Sequence, residues 1–290
     1  MIPQKSIQIE KAHLIKQLHI YGDLIVLPNI WDPLGAIMLE RLGYPVIATA
    51  SASIAFSNGY PDGEQISFKH LLLILQKIVQ SVKVPVTADI ESGYAENNTI
   101  LKENIKRLID TGIVGINFED NHHAGEKLIS IEDQCGKIKI IRQAAAEMGI
   151  PLFINARTDV LLKANQLTDE EKLTEVLRRG KAYKDAGADC FYPILLKKKE
   201  DIVTVIKAVN LPINILLLPG IPDFETLKNI GLSRISLGPG FLKTAINAMK
   251  NIAENLLHYE GMQEVVDNPV TTAYLNNLMS KTNVNEPNIN

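Results

Sequence analysis

The sequence predicts an α/β protein, a (β/α)8 TIM-type barrel with additional C-terminal helices. Three observations predict it. Short apolar runs alternate with segments of helical apolar spacing from about Leu24 to Leu237. Charged residues recur where those runs end, in VTADIESGY, GINFED and INARTD, which is where a parallel barrel gathers its ligand-binding side chains. The length of 290 residues suits one closed barrel as a single domain. A doubly wound open sheet is the runner-up, but no Gly-rich dinucleotide fingerprint follows the first strand.

The elements follow in order. Residues 1–18 have helical apolar spacing broken by charges, unlike a signal peptide or membrane span. Leu24–Pro28 is the first strand, and Asn29-Ile30-Trp31-Asp32 stands at its end. Pro33 suits the first turn of a helix reaching Leu42, which Gly43 closes. Pro45–Thr49 is the second strand and runs into the small residues Ala50-Ser51-Ala52-Ser53. A loop rich in turn signals, Asn58–Glu64, comes next. Leu71, Leu72, Leu75 and Ile78 mark a helix over Phe68–Val82 that leads to the strand at Val84.

Helices near Ile100–Thr111 and Ile131–Met148 then alternate with strands near Gly115 and Pro151. The helix Asp169–Gly187 leads to the strand Cys190–Ile194, and the helix Lys199–Val209 to the strand Pro212–Leu218. The helix Asp223–Gly231 precedes a last strand, Arg234–Leu237. Beyond Gly240 an apolar-striped helix to about Gly261 and a piece from Val270 to Met279 exceed what a barrel needs. They predict a homo-oligomer, a dimer or tetramer. The last ten residues, 281–290, read as a loose tail.

Composition narrows the function. Nearly half of the chain is hydrophobic (46%), 22% is charged, and the net charge is −3. These values disfavour disorder and a basic nucleic-acid surface, and favour small-molecule chemistry. Cys135 and Cys190 form no disulfide framework and no Cys/His spacing suggests zinc, so a cytoplasmic protein without membrane or nucleic-acid partners is expected.

The strand ends carry the chemistry. Magnesium prefers oxygen ligands and keeps several waters, needing one or two direct carboxylates. Asp89, Glu91, Asp62 and Glu119 are the candidate metal acids, some of them acting through the metal's waters. The bland reading has Asp89 starting a turn and Glu91 capping the next helix. Arg157 offers a planar fork to a carboxylate or phosphonate; its alternative role is an ion pair with Asp159 or Glu119. Asn155 shares that strand. Ala50, Ser51 and Ala52 are small enough to let their backbone approach an anion; tight packing is the alternative.

The ordered set PNIWD, GYPDGE, ADIESGY, INFED and NARTD resembles the isocitrate lyase/phosphoenolpyruvate mutase superfamily from about Leu24 to Gly261. The resemblance implies a magnesium site, with Mn2+ as a substitute, and the breaking or making of C-C or P-C bonds in 2-oxo acid compounds through an enolate-like state. By the same resemblance Asp89 is the principal metal carboxylate, Glu91 stands where the family commonly has Asp, and Asp62 and Glu119 are acids around the metal. Arg157 grips the substrate's anionic group, and Ala50 to Ala52 cradle it.

The chain departs from the family after Asp120. Isocitrate and methylisocitrate lyases carry a cysteine-bearing loop there, whereas this chain has Asn121-His122-His123-Ala124-Gly125-Glu126-Lys127. His122, His123 and Lys127 can all move protons, and the two histidines join Arg157 and Glu119 in the candidate catalytic set; a plain solvated loop is the alternative. Cys135 belongs to a helix started by a Ser130–Asp133 capping box. The expected function is a magnesium-dependent lyase acting on a small 2-oxo acid compound. A P-C mutase or hydrolase acting on a phosphonate is second, and a catalytically silent 2-oxo acid binding protein is the reading from another class.

Overall fold

The computed structural model describes residues 4–19, 24–121 and 128–280. Its first strand forms on either side of Pro28, as β1 (Ile25–Leu27) and β2 (Asn29–Ile30). Proline has no N–H to donate, and the chain changes partner there: β1 pairs with the last strand and β2 with the next. The others are β3 (Ile47–Thr49), β4 (Val86–Asp89), β5 (Gly115–Glu119), β6 (Phe153–Thr158), β7 (Cys190–Pro193), β8 (Asn214–Leu216) and β9 (Arg234–Ser236).

Every pairing between these strands is parallel. The order is β2-β3-β4-β5-β6-β7 on one side and β1-β9-β8 on the other, and a bridge from Phe191 to Ile213 joins β7 to β8. Because β1 and β2 are one stave, the nine segments close an eight-stave barrel, as the alternation predicts.

The apolar core lies between the strands and the surrounding helices. Phe191 of β7 packs against Gly180 of the helix Asp169–Ala186, where an added Cβ would come within 2.9 Å of the ring. Helix starts follow their capping residues. Asp32, Ser67, Asn97, Ser130 and Asp223 each accept a first-turn N–H, and Thr168 with Glu171 forms a full capping box. Each such cap contributes on the order of 1 kcal/mol. Asn97 starts the helix Asn98–Asp110, so Glu91 is not a helix cap.

Two segments differ from the sequence reading. Ser51–Ser57 is a helix where the sequence was read only as a small-residue segment, and Asp89 accepts the orphan N–H of Ser51 and stabilises its first turn. The helix beginning at Gly240 stops at Leu257, short of Gly261. Tyr259 (φ 61°) and Gly261 (φ 76°) are left-handed and turn the chain into the short helix Met262–Val266. The helix Thr272–Met279 then returns to the barrel's own helix Pro33–Arg41, burying Leu278 and accepting Arg41 Nη2 on the Ser280 carbonyl at 3.1 Å. Among the described residues, no helix is long and apolar enough to cross a membrane.

Candidate active site

The C-terminal strand ends open on a cavity of about 170 Å3. That is below the roughly 300 Å3 at which drug-sized ligand sites begin, so it suits a small acid. Asp89 ends β4 on its wall. Its Oδ2 accepts the Ser51 hydroxyl at 2.8 Å and the Ser51 N–H at 3.2 Å, and its Oδ1 accepts Asn117 Nδ2 at 2.9 Å. Both oxygens are thereby oriented: Oδ2 takes two donors, and Oδ1, with Asn117 and a long 3.5 Å bond from the Glu91 N–H, is the freer of the two.

The ESGY turn that follows is strained. Glu91 (φ 52°), Gly93 (φ 98°) and Tyr94 (φ 53°) are all left-handed, a conformation that non-glycine residues hold only when their surroundings enforce it. An added Cβ on Gly93 would meet Leu101 Cδ1 at 2.6 Å. Glu64 holds the turn: its Oε1 accepts Ser92 Oγ at 2.8 Å and Tyr94 N at 2.8 Å, while its own N–H donates to Glu91 Oε2 at 3.0 Å. Glu91 also accepts the Tyr94 hydroxyl at 3.2 Å. Burial first, then the charges of Asp89 and Asp62, push the Glu91 carboxyl up to about 8.

Glu119, Arg157 and Asp159 form one chain of charge. Arg157 Nη1 meets Glu119 Oε2 at 2.7 Å, and its Nε and Nη2 clasp Asp159 at 2.7 and 3.1 Å. Both alternative ion pairs read from the sequence are therefore present at once. Three of the five guanidinium N–H groups are used, and Arg157 still lines the cavity with two to offer. Burial raises the Glu119 carboxyl well above its usual range; Arg157 opposes that, while Asp159, Asp89 and Glu91 add to it.

The neighbouring acid Asp120 has a different task. It is fully buried and accepts Thr158 Oγ1 at 2.6 Å, Tyr183 OH at 2.6 Å, Arg179 Nη1 at 2.8 Å and the Asp159 N–H at 2.9 Å. It ties β5 and β6 to the helix Asp169–Ala186 and fixes the backbone beneath Asp159.

The other expected residues divide. Asp62 lines the cavity. Of the cradle, the Ala50 N–H is taken by the Ile30 carbonyl and the Ser51 N–H by Asp89. Ala52, at the second position of the helix, has no intrahelical acceptor and supplies the cradle's remaining donor. Asn155 does not line the cavity. It is fully buried, in register with Asn117, and donates to Asn117 Oδ1 at 3.0 Å, so it supports Asp89 through Asn117. His122 and His123 lie outside the described residues, as does Lys127. Cys135 sits within the helix Ile131–Met148 with its Sγ on the Ala182 carbonyl at 3.4 Å, a packing role.

The acids do not form a metal cage. Among the described residues no three His, Cys, Asp or Glu side chains converge as a ready-made metal centre. The donor set fits magnesium nevertheless, because that ion binds through one or two carboxylates and keeps its waters. Sequence reasoning missed Asn29, Glu64, Tyr192 and Arg234. Asn29 staples the rim, donating to the Thr49 carbonyl at 2.8 Å and accepting Leu237 N at 2.8 Å. Its position in PNIWD, directly after the stave's proline, was the available signal.

An eight-stave barrel with acids and an arginine at its C-terminal mouth defines a class of small-molecule enzyme. Residues 15–257 match the phosphoenolpyruvate phosphomutase family, to which the chain belongs, and with it to the isocitrate lyase/phosphoenolpyruvate mutase superfamily of enzymes. An uncharacterized protein of Mycobacterium tuberculosis is 30% identical over 76% of this chain and 80% of its own length. The 2,3-dimethylmalate lyase of Eubacterium barkeri is 26% identical over 91% of this chain and 92% of its own. A candidate phosphonomutase from Burkholderia cenocepacia J2315 superposes with a TM-score of 0.81 at 35% identity, over 84% of this chain and 99% of the other. A phosphonopyruvate hydrolase solved with oxalate and Mg++ shares the fold, with a TM-score of 0.80 at 22% identity over 92% of this chain and 94% of the other.

Proposed function

We propose that the chain is a magnesium-dependent lyase that cleaves or forms a C-C bond in a small 2-oxo acid compound through an enolate-like state. The observation that carries this reading is Asp89, oriented through both oxygens beside an arginine that keeps two donors for the cavity. Asp89 would hold the metal directly, and Asp62, Glu91 and Glu119 would hold its waters. Bound there, the ion would supply Lewis-acid stabilisation of the enolate oxygen.

The chain's own groups do the rest. The free N–H groups of Arg157 grip the carboxylate, and Asp159 and Glu119 fix the fork so that it needs no reorganisation as charge develops. The Ala52 N–H adds a donor from the opposite wall. His122 or His123 delivers the proton in this reading, and the cytoplasm is its proposed compartment. The exposed apolar side chains of the C-terminal helices, Val270, Tyr274 and Met279 among them, support assembly as a homo-oligomer. Light scattering on full-length protein should give a dimer or tetramer, and truncation before Asn268 should lower that mass.

Magnesium with oxalate, an enolpyruvate mimic, should raise the melting temperature by mass action, and Arg157→Lys should weaken oxalate at least about tenfold because lysine loses the fork. Equal affinity would leave Arg157 a structural ion pair. The likeness to the Burkholderia phosphonomutase candidate favours P-C chemistry as the second reading. Turnover of a panel of 2-oxo acids and phosphonopyruvate decides between the two, and oxalate binding without any turnover would mark a binding protein.

A further inference from the structure

The mechanism above makes no use of Arg234, although it is the cavity's other cation. Arg234 begins β9, level with Ile25 and Asn214 near the bottom of the barrel. Its side chain rises inside the barrel: Nε donates at 3.1 Å to the Oγ of Ser236, two residues further toward the mouth, and the residue lines the cavity. Ser236 is held in turn by the Asn214 side chain at 3.1 Å. The guanidinium is thus positioned from below, on the cavity floor.

Among the described residues Arg234 makes no ion pair. Arg234 is 2% exposed, and its Nη1 has no hydrogen-bond partner among the described residues. Arg157, by contrast, holds two carboxylates. Of the groups that act electrostatically on Arg234, Asp89 does so from a distance and without an ion pair, and Cys190 and Tyr192 supply no charge. Burial pushes the Cys190 thiol up to about 12 and raises the Tyr192 hydroxyl, so both stay neutral. A desolvated cation with an idle donor is costly, and it persists where a ligand completes it.

Barrel order sets the distance that ligand spans. Around the ring Arg234 stands three staves from Arg157, across β7 and β8, and three from Asp89, across β3 and the β1/β2 stave. It therefore faces the acid-bearing arc rather than joining it. We propose that Arg234 is a second anion-binding residue of the cavity, holding the distal oxyanion group of a small dianionic 2-oxo acid whose oxo-acid end meets Asp89 and Arg157. The inference rests on the proposed function and narrows its substrate class to acids with a carboxylate or phosphonate at each end. Monoanionic 2-oxo acids would leave Arg234 unpaired.

Calorimetric titration in the presence of magnesium tests it, with oxalate, lactate, malate and 2-hydroxy-3-phosphonopropionate as probes. The last three share one head and differ in the distal group. The wild-type chain is expected to prefer at least one dianion to lactate by about tenfold or more, as a charge-assisted contact implies. The stronger of the two distinguishes a distal carboxylate from a phosphonate. Arg234→Gln should erase that preference while leaving oxalate within about twofold, and Arg234→Lys should restore part of it.

Arg234→Met, which replaces the desolvated charge by an apolar chain, should keep or raise the melting temperature. Should all three substitutions at Arg234 prevent folding, Ser236→Ala releases Nε and is expected to reduce the same preference. An unchanged preference in the folded variants, or equal binding of lactate and both dianions by the wild type, overturns the inference while oxalate binding stands. Loss of oxalate binding in the wild type removes the proposed function itself.

Discussion

Two arcs of one cavity carry charge in opposite ways. Along β4 to β6 the charges are many and partnered: Asp89 by Ser51 and Asn117, Glu91 by Glu64 and Tyr94, and Arg157 by Glu119 and Asp159. Along β7 to β9 the cavity is lined by Tyr192, Ile194, Leu216 and a lone cation, Arg234. An ion-pair lattice built for stability alone would set Arg234 beside the acids, where burial first and then mutual repulsion push Glu91 up to about 8. The barrel instead keeps them staves apart. The arrangement suits a ligand and a cation that bring the missing charges to each side.

Removing the centre of the acidic arc should have the largest effect. Asp89→Ala is expected to abolish the melting-temperature rise given by magnesium with oxalate, at least a ~100-fold loss, since it deletes the direct negative ligand. It also strands Ser51 and Asn117, at about 1–3 kcal/mol. Calorimetry and thermal unfolding read both effects, and a surviving rise would place the metal elsewhere.

Adjacent residues sharpen the contrast between ligand-facing and supporting charge. Asp120→Ala leaves Arg179 buried without its carboxylate and should lower stability by about 3–5 kcal/mol, with oxalate affinity within about threefold in protein that folds. Glu119→Gln should do the reverse, costing less than about 2 kcal/mol but at least about tenfold in oxalate affinity, because Arg157 loses a fixing charge. Urea titration and calorimetry on both variants decide. Matching profiles would dissolve the distinction.

That distinction was half legible in the sequence. Asp89 and Arg157 stood out because strand periodicity puts them at the ends of apolar runs, and the barrel followed from the same alternation. Asp120 and Glu119 looked alike, since only the pleat assigns one to Arg179 and the other to Arg157, which lines the cavity. Arg234 was read as no more than the start of a strand. Its meaning depends on ring closure, which brings residues 29 and 237 within hydrogen-bond reach and which no local pattern encodes. Asn155 was expected to touch the ligand, but its amide is spent on Asn117, which makes it a support rather than a lining residue.

The smallest expected effect is a pH slope, and it separates the arcs by their titratable groups. Glu91 is raised from 4.5 to about 8 by burial and neighbouring acids. A carboxyl whose folded pKa lies above its unfolded one favours folding fully below the unfolded value, and that contribution is lost as pH rises toward the folded value. His19, lowered to about 3 by burial and by Arg234, runs the other way, but its contribution is complete above its unfolded value of 6.5. Between about pH 6.5 and pH 8 the metal-free melting temperature should therefore fall by several degrees. Magnesium with oxalate should oppose the fall, because binding is favoured by deprotonation of the rim acids and releases protons. Glu91→Gln should flatten the metal-free slope, since the amide oxygen can still accept the Glu64 N–H while the titrating group is gone. A wild-type melting temperature that rises across this window without metal would show that Glu91 is already ionised below it, so that burial and repulsion do not hold its proton.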